Sequence, residues 1–138
     1  MRPEQTARLY YQLFNERRFE EAARLVDRQV SIHYKPTRQH LVGRAGYHAL
    51  AMGWVNAFDD VSLEILDLTE SGEGCVTVSL LGSGTHSGDL ILGDSVSIPP
   101  TGRKAQLHVR ETLQIRDGLI VSEELDFDME EMRKALLG

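Results

Sequence analysis

Two long runs of strict alternation near the C-terminus constrain this chain more than any other feature. From Lys104 to Ile115, apolar Leu107, Val109, Leu113 and Ile115 alternate with His108, Arg110, Thr112 and Gln114. From Leu119 to Phe127, Val121, Leu125 and Phe127 alternate with Ser122, Glu124 and Asp126. A period of two marks half-buried strands, and Asp117-Gly118 between them marks a hairpin turn. Such a hairpin has one apolar face and must cover it with other elements. A carboxyl interrupts each face once, Glu111 in the first strand and Glu123 in the second. If Arg116-Asp117-Gly118 is a three-residue loop, Ile115 pairs with Leu119 and Glu123 lies directly opposite Glu111. A two-residue loop instead sets Glu111 beside Glu124. In the first register two carboxyls stand side by side on a buried face, where both cannot ionise cheaply, so one pKa rises. That pair suits general acid–base chemistry. A buried arginine partner for Glu111, or a watery rim for both, are the alternatives.

The rest of the 138 residues supplies the cover. Pro3 and Glu4 suit a helix start, and Leu9, Tyr10, Leu13 and Phe14 then follow one helical face. A second short helix turns Phe19, Ala22, Ala23, Leu25 and Val26 inward. Val30, Ile32 and Tyr34 alternate with polar neighbours, which predicts a strand ending before Pro36. Residues 36–44 read as a polar loop. A third helix is predicted from about Ala45 to Phe58, with Tyr47, Leu50, Trp54 and Phe58 on one stripe. Val61, Leu63 and Ile65 then alternate until Leu66 and Leu68 take the opposite phase, the mark of a bulge. A strand over Cys75–Leu81 follows the turn at 70–74. The Gly/Ser-rich stretch 82–102, with its apolar patch Leu90-Ile91-Leu92, reads as a long, partly irregular connection. A last helix runs from Met129 to Leu137. This order predicts a single α+β domain over residues 1–138, its helices on one face of a curved antiparallel sheet.

Composition narrows the function. A net charge of −6 and a pI of about 5.3 are the wrong sign for tracking phosphates, so nucleic acid is not an expected partner. No run approaches the roughly 20 apolar residues of a membrane helix. The N-terminal segment lacks the pattern of a secretory leader, and Cys75 is the lone cysteine, so a cytoplasmic location is expected. Cys75 itself reads as a small core residue. His33, His40, His48, His86 and His108 show no metal-ligand spacing, and no metal site is expected. The segment 82–88 lacks a phosphate-loop pattern. Tyr10, Tyr34, Trp54 and Phe127 either line a pocket for a flat ligand or are ordinary core. His86 reads as a loop histidine bonded to backbone, and His108 as exposed or in a dimer contact.

Several short motifs carry a resemblance. They are Gly43-Arg44, Gly84-Thr85-His86-Ser87-Gly88-Asp89, Ile98-Pro99-Pro100-Thr101-Gly102-Arg103, and Asp117-Gly118-Leu119-Ile120 leading to Phe127-Asp128-Met129. Together they resemble the SnoaL-like polyketide cyclase (ester cyclase) family of the nuclear-transport-factor-two-like superfamily, which also holds ketosteroid isomerase and scytalone dehydratase. The resemblance implies a cone of strongly bent antiparallel sheet, three N-terminal helices packed on its concave face and a short C-terminal helix. It further implies a homodimer joined through the sheet, a hydrophobic small-molecule ligand and no cofactor.

The family's residues map unevenly onto this chain. The cyclase acid–base aspartate, in a run His-Trp-Asp-x-Phe-Asp, falls at Leu125, and the histidine of that run at Glu123. A second cyclase histidine falls at Glu111, where ketosteroid isomerase has a protonated aspartate. The isomerase tyrosine matches Tyr10, and its catalytic aspartate matches Tyr34, or Lys35 if the alignment slips by one. The expectation is therefore an isomerase- or lyase-type enzyme acting on a hydrophobic carbonyl compound. Glu123 serves as the base, while Glu111 stays protonated and donates with Tyr10 to a developing oxyanion. Tyr34, Trp54, His86, Val109, Leu125 and Phe127 are the expected ligand contacts. The alternative is a non-catalytic binding or dimeric scaffold module of the same fold.

Overall fold

The structure is a computed structural model that describes residues 1–94 and 96–138. Helix α1 (Pro3–Asn15) starts on Pro3, and the Gln5 side chain accepts the Arg2 backbone N–H at 2.8 Å. A short helix α2 (Phe19–Ala23) leads into strand β1 (Val26–Tyr34), whose Val30, Ile32 and Tyr34 are buried as their alternation predicts. A short turn at Lys35–Thr37 and strand β2 (Gln39–Val42) occupy the stretch read as a polar loop. That strand gives little sequence signal because it is a short edge strand whose two apolar residues, Leu41 and Val42, are adjacent and do not alternate. Helix α3 (Gly43–Ala57) follows, then β3 (Ser62–Ser71) and β4 (Cys75–Thr85). The predicted bulge is present: Ile65 pairs with Leu80 and Asp67 with Ser79, which leaves Leu66 unpaired. Cys75 is only half-buried.

The connection after β4 is more ordered than its composition suggests. Strands β5 (Leu90–Leu92) and β6 (Val96–Ile98) pair as a small separate hairpin, burying Leu90, Leu92 and Ile98. Its stem is tied to the end of α3, where Ser87 and Gly88 both donate backbone N–H groups to the Ala57 carbonyl, at 3.0 and 3.1 Å. Gly88 lies so close to α3 that a Cβ there would sit 2.0 Å from the Asn56 carbonyl oxygen. Glycine is therefore required at this position.

Strands β7 (Lys104–Arg116) and β8 (Leu119–Phe127) form the long hairpin, and α4 (Met129–Leu137) closes the chain. Asp128 caps α4 by accepting the Glu130 N–H at 2.8 Å. The six-stranded sheet has the order β2-β1-β8-β7-β4-β3 and is strongly bent. Its neighbours are antiparallel except β1 and β8, which run parallel. Those two strands come from opposite ends of the chain, so no hairpin dictates their direction. The concave face of this mixed sheet carries Val30, Ile32, Val76, Val78, Leu80, Val109 and Leu113, and the helices cover it.

The hairpin register departs from the expected one. Asp117 and Gly118 both take positive φ, 53° and 77°, forming a two-residue turn with Arg116 opposite Leu119. One register shift follows immediately, between the Ile115–Ile120 and Gln114–Ser122 pairs, leaving Val121 as the extra residue. The bulge restores the parity that a two-residue turn would have lost. Glu123 therefore returns to the buried face, opposite Leu113, and Glu111 lies opposite Leu125. The two carboxyls are diagonal neighbours and not a directly facing pair. A diagonal on one face is still within reach of long side chains.

Candidate active site

Both strands flanking each carboxyl present aliphatic side chains to it. Glu123 lies between Leu113 on β7 and Ile32 on β1, and Glu111 between Leu125 on β8 and Val78 on β4. Glu123 is 1% exposed and Glu111 5%, so water hardly reaches either group. Helix α1 supplies the hydrogen bonds that make this burial tolerable. The Tyr10 hydroxyl donates to Glu123 Oε1 at 2.7 Å, and the Tyr11 hydroxyl donates to Glu111 Oε1 at 3.2 Å. Successive helical residues normally diverge, but here two adjacent tyrosines straddle the carboxyl pair. Their rings stay 5.3 Å apart.

The electrostatics follow from this setting. Burial pushes the Glu111 pKa well above the ordinary carboxyl value, and the charge of Glu123 and a hydrogen bond with it push in the same direction. The Tyr11 hydroxyl opposes that rise without cancelling it. Of the two carboxyls, Glu111 is the one held toward its protonated form, and Glu123 is the one that receives the shorter hydroxyl bond. Burial and the nearby carboxyls also raise the pKa values of Tyr10, Tyr11, Tyr34 and Tyr47. Neither expected alternative applies: no arginine pairs with Glu111 among the described residues, and the two carboxyls are not at a solvated rim.

The carboxyl pair forms one end of a cavity of about 90 Å³ between the sheet and α1, α3 and α4. Aromatic rings from Phe14, Tyr47, Trp54 and Phe58 wall it, with aliphatic side chains filling the gaps. Ser83, Gly84, Ala105, Gln106 and Ala135 form its outer end, which continues into a groove bordered by Asp60, Thr85 and Lys104. The site is apolar along its length and polar at both ends.

Of the residues expected to act, Glu111, Glu123, Tyr10, Trp54, Val109 and Leu125 all line this cavity. Three expected contacts do not. Tyr34 and Phe127 pack edge-on to one another at 5.7 Å and support Trp54 from behind. His86 is fully buried under Phe58, where its Nδ1 accepts the Thr101 N–H and meets the Thr101 hydroxyl at 3.1 Å. It anchors the 82–102 connection, and its bond to backbone is the one expected. Tyr10 lines the cavity, but its hydroxyl is committed to Glu123 and is not free for a ligand oxygen. His108 is exposed, as one reading had it, and bonds to Glu131.

The sequence reading missed Tyr11 and Tyr47 as members of the site. Ala7, Tyr11 and Phe14 share a second helical stripe beside the one followed, and that spacing was the available signal. Tyr47 stood on the predicted stripe of α3. No polar partner meets its hydroxyl among the described residues, although it is buried in the cavity wall. No group of three or more metal-ligating side chains occurs among the described residues.

Comparison with known proteins places this geometry in context. Similar folds are widespread among solved structures. One is IdmH from Streptomyces antibioticus, a candidate polyketide cyclase, with 24% identity, a TM-score of 0.82 and 99% of each chain covered. Another is a SnoaL-like protein from Jannaschia sp. CCS1, with 15% identity and a TM-score of 0.83, covering 97% of this chain and 90% of that one. A third, a candidate ketosteroid isomerase from Kribbella flavida, has 23% identity and a TM-score of 0.66, covering 91% and 77%. At these identities the likeness speaks for the fold alone. No protein of curated description matches the sequence. The family profile of the SnoaL-like polyketide cyclases, however, matches residues 4–136. With this bent-sheet fold, its enclosed cavity and a profile match over nearly its whole length, this chain belongs to the SnoaL-like polyketide cyclase family.

Proposed function

We propose that the protein is a cofactor-free enzyme that moves a proton on a hydrophobic carbonyl compound, in an isomerisation, elimination or ring closure. The observation that carries this reading is the Glu111–Glu123 pair at the inner end of an apolar cavity, each carboxyl held by its own tyrosine. Two neighbouring carboxyls whose surroundings separate their protonation states make an acid and a base. Glu123 takes the α-proton of the substrate, with Tyr10 holding its carboxylate in place. Glu111 keeps its own proton and donates it as a hydrogen bond to the oxygen where negative charge develops. The free hydroxyl of Tyr47 is the second donor, in the role first expected of Tyr10. Carboxyls at 111 and 123 thus take over from the aspartate that the family resemblance would put at Leu125.

Deuterium exchange at the α-carbon of small aryl ketones in D2O, followed by NMR, tests the reaction. Glu123→Gln lowers the protein-dependent exchange rate about 100-fold. Leu125, standing where the resemblance puts the family acid, favours a second reading in which the cavity binds without catalysis. An exchange rate that Glu123→Gln leaves unchanged, with ligand binding intact, would decide for that reading. A homodimer joined through the outer face of the sheet belongs to the same proposal. Equilibrium sedimentation tests it, and a strictly monomeric protein rules it out.

A further inference from the structure

The cavity holds two buried carboxyls and no positive charge to match them. Among the described lining residues there is no arginine, lysine or histidine, and the nearest cation of the groove, Lys104, stands at the outer end. Every titratable group facing the pair is itself an acid: Tyr10 and Tyr11 on α1, Tyr47 on α3 and Tyr34 on β1. A carboxylate out of water is costly until a partner charge arrives. Here the partner within the protein is only a shared proton and two hydroxyls. The surrounding walls are aromatic faces, which attract a cation and repel an anion, most strongly where water is excluded.

From this geometry we infer that the cavity takes hydrophobic ligands whose inner end is a protonated amine, in preference to neutral or carboxylate analogues of the same shape. The inference rests on the reading that this cavity is the ligand site, and such an amine occupies the inner end and its base in place of the carbonyl substrate. An ammonium placed at the inner end makes a charge-assisted hydrogen bond to Glu123. The ammonium and Glu123 then neutralise one another, and Glu111 keeps its proton, since its ionisation would leave a second buried carboxylate without a partner. The groove at the outer end leaves room for the rest of a longer molecule.

Isothermal calorimetry with phenethylamine, phenylethanol and phenylacetate provides the test, since the three share a ring and differ at the inner end. At pH 7 the amine binds roughly tenfold or more tightly than the alcohol, and phenylacetate binds weakest. In a Glu111→Gln, Glu123→Gln double variant the preference for the amine falls to about threefold or less. The wild-type ranking of the three ligands keeps the test valid even if that variant fails to fold. Alcohol binding as tight as the amine would overturn the inference while leaving the ligand site standing. If none of the three binds, the inference and the ligand-site reading fall together.

Discussion

The glutamate pair Glu111–Glu123 and the histidine pair His33–His40 each bring two like titratable side chains together on neighbouring strands, and they could hardly differ more in consequence. Glu111 and Glu123 lie diagonally on the concave face of β7 and β8, sealed under helices. His33 and His40 lie directly opposite one another on β1 and β2, on the exposed side, their rings stacked 4.4 Å apart. The histidines share one hydroxyl, with Ser31 Oγ at 3.2 and 2.7 Å from their Nε2 atoms, and both rings are exposed. Each glutamate instead has a private tyrosine and aliphatic neighbours on both sides. Proximity is common to both pairs, so proximity alone does not make a site. Removal of water does, because it turns a screened interaction into one strong enough to shift a protonation state.

The contrast can be broken in several places, beginning where the expected effect is largest. Glu123→Gln should cost about 100-fold in proton exchange, whereas His33→Asn should leave the rate within about twofold, as befits a surface change. Next comes stability. Tyr10→Phe strips a short, buried hydrogen bond from a carboxylate and should cost about 2 kcal/mol in chemical denaturation. Tyr11→Phe removes a longer bond, to the protonated carboxyl, and should cost about 1 kcal/mol. A reversed order would show that the acid and base are assigned the wrong way round.

The pH dependence sharpens the same point. Because Glu111 holds its proton more tightly when folded, its favourable contribution is complete below the unfolded value of about 4.3 and is lost as pH rises through the folded-state pKa. Glu111→Gln removes that loss. The stability of the variant relative to wild type should therefore climb as pH is raised from about 4 to about 8, read by thermal unfolding at each pH; a flat difference contradicts the buried-acid account. The smallest effect belongs to the exposed pair. His40→Asn should change stability by no more than about 0.5 kcal/mol.

How much of this was readable beforehand depends on how far each feature reaches along the chain. Helix α4, strand β8 and the β3 bulge follow from local periodicity, because the same residues that show the pattern are the ones buried. Strand β2 has no periodic signature, since it is short and its apolar residues, Leu41 and Val42, are adjacent. The 82–102 stretch looked irregular because its order comes from contacts with α3, not from its own composition. The partial placement of the site has the same origin. Tyr34 and Phe127 have the chemistry of ligand contacts, yet they pack on Trp54 and only Trp54 lines the cavity, and such layering depends on how a helix crosses a sheet.

By itself the sequence determined the α+β class, the hairpin and the fact that two acids interrupt its apolar face. These are properties of periodicity, which each segment expresses alone. Only the tertiary structure decided that a two-residue turn and a bulge at Val121 together keep Glu123 on the inner face. It alone decided that Tyr10 and Tyr11 would divide the two carboxyls between them, and that no cation among the described residues would line their cavity. Register and desolvation arise between segments distant in the chain. The acidity of a buried carboxyl therefore belongs to the folded cavity and not to the residue.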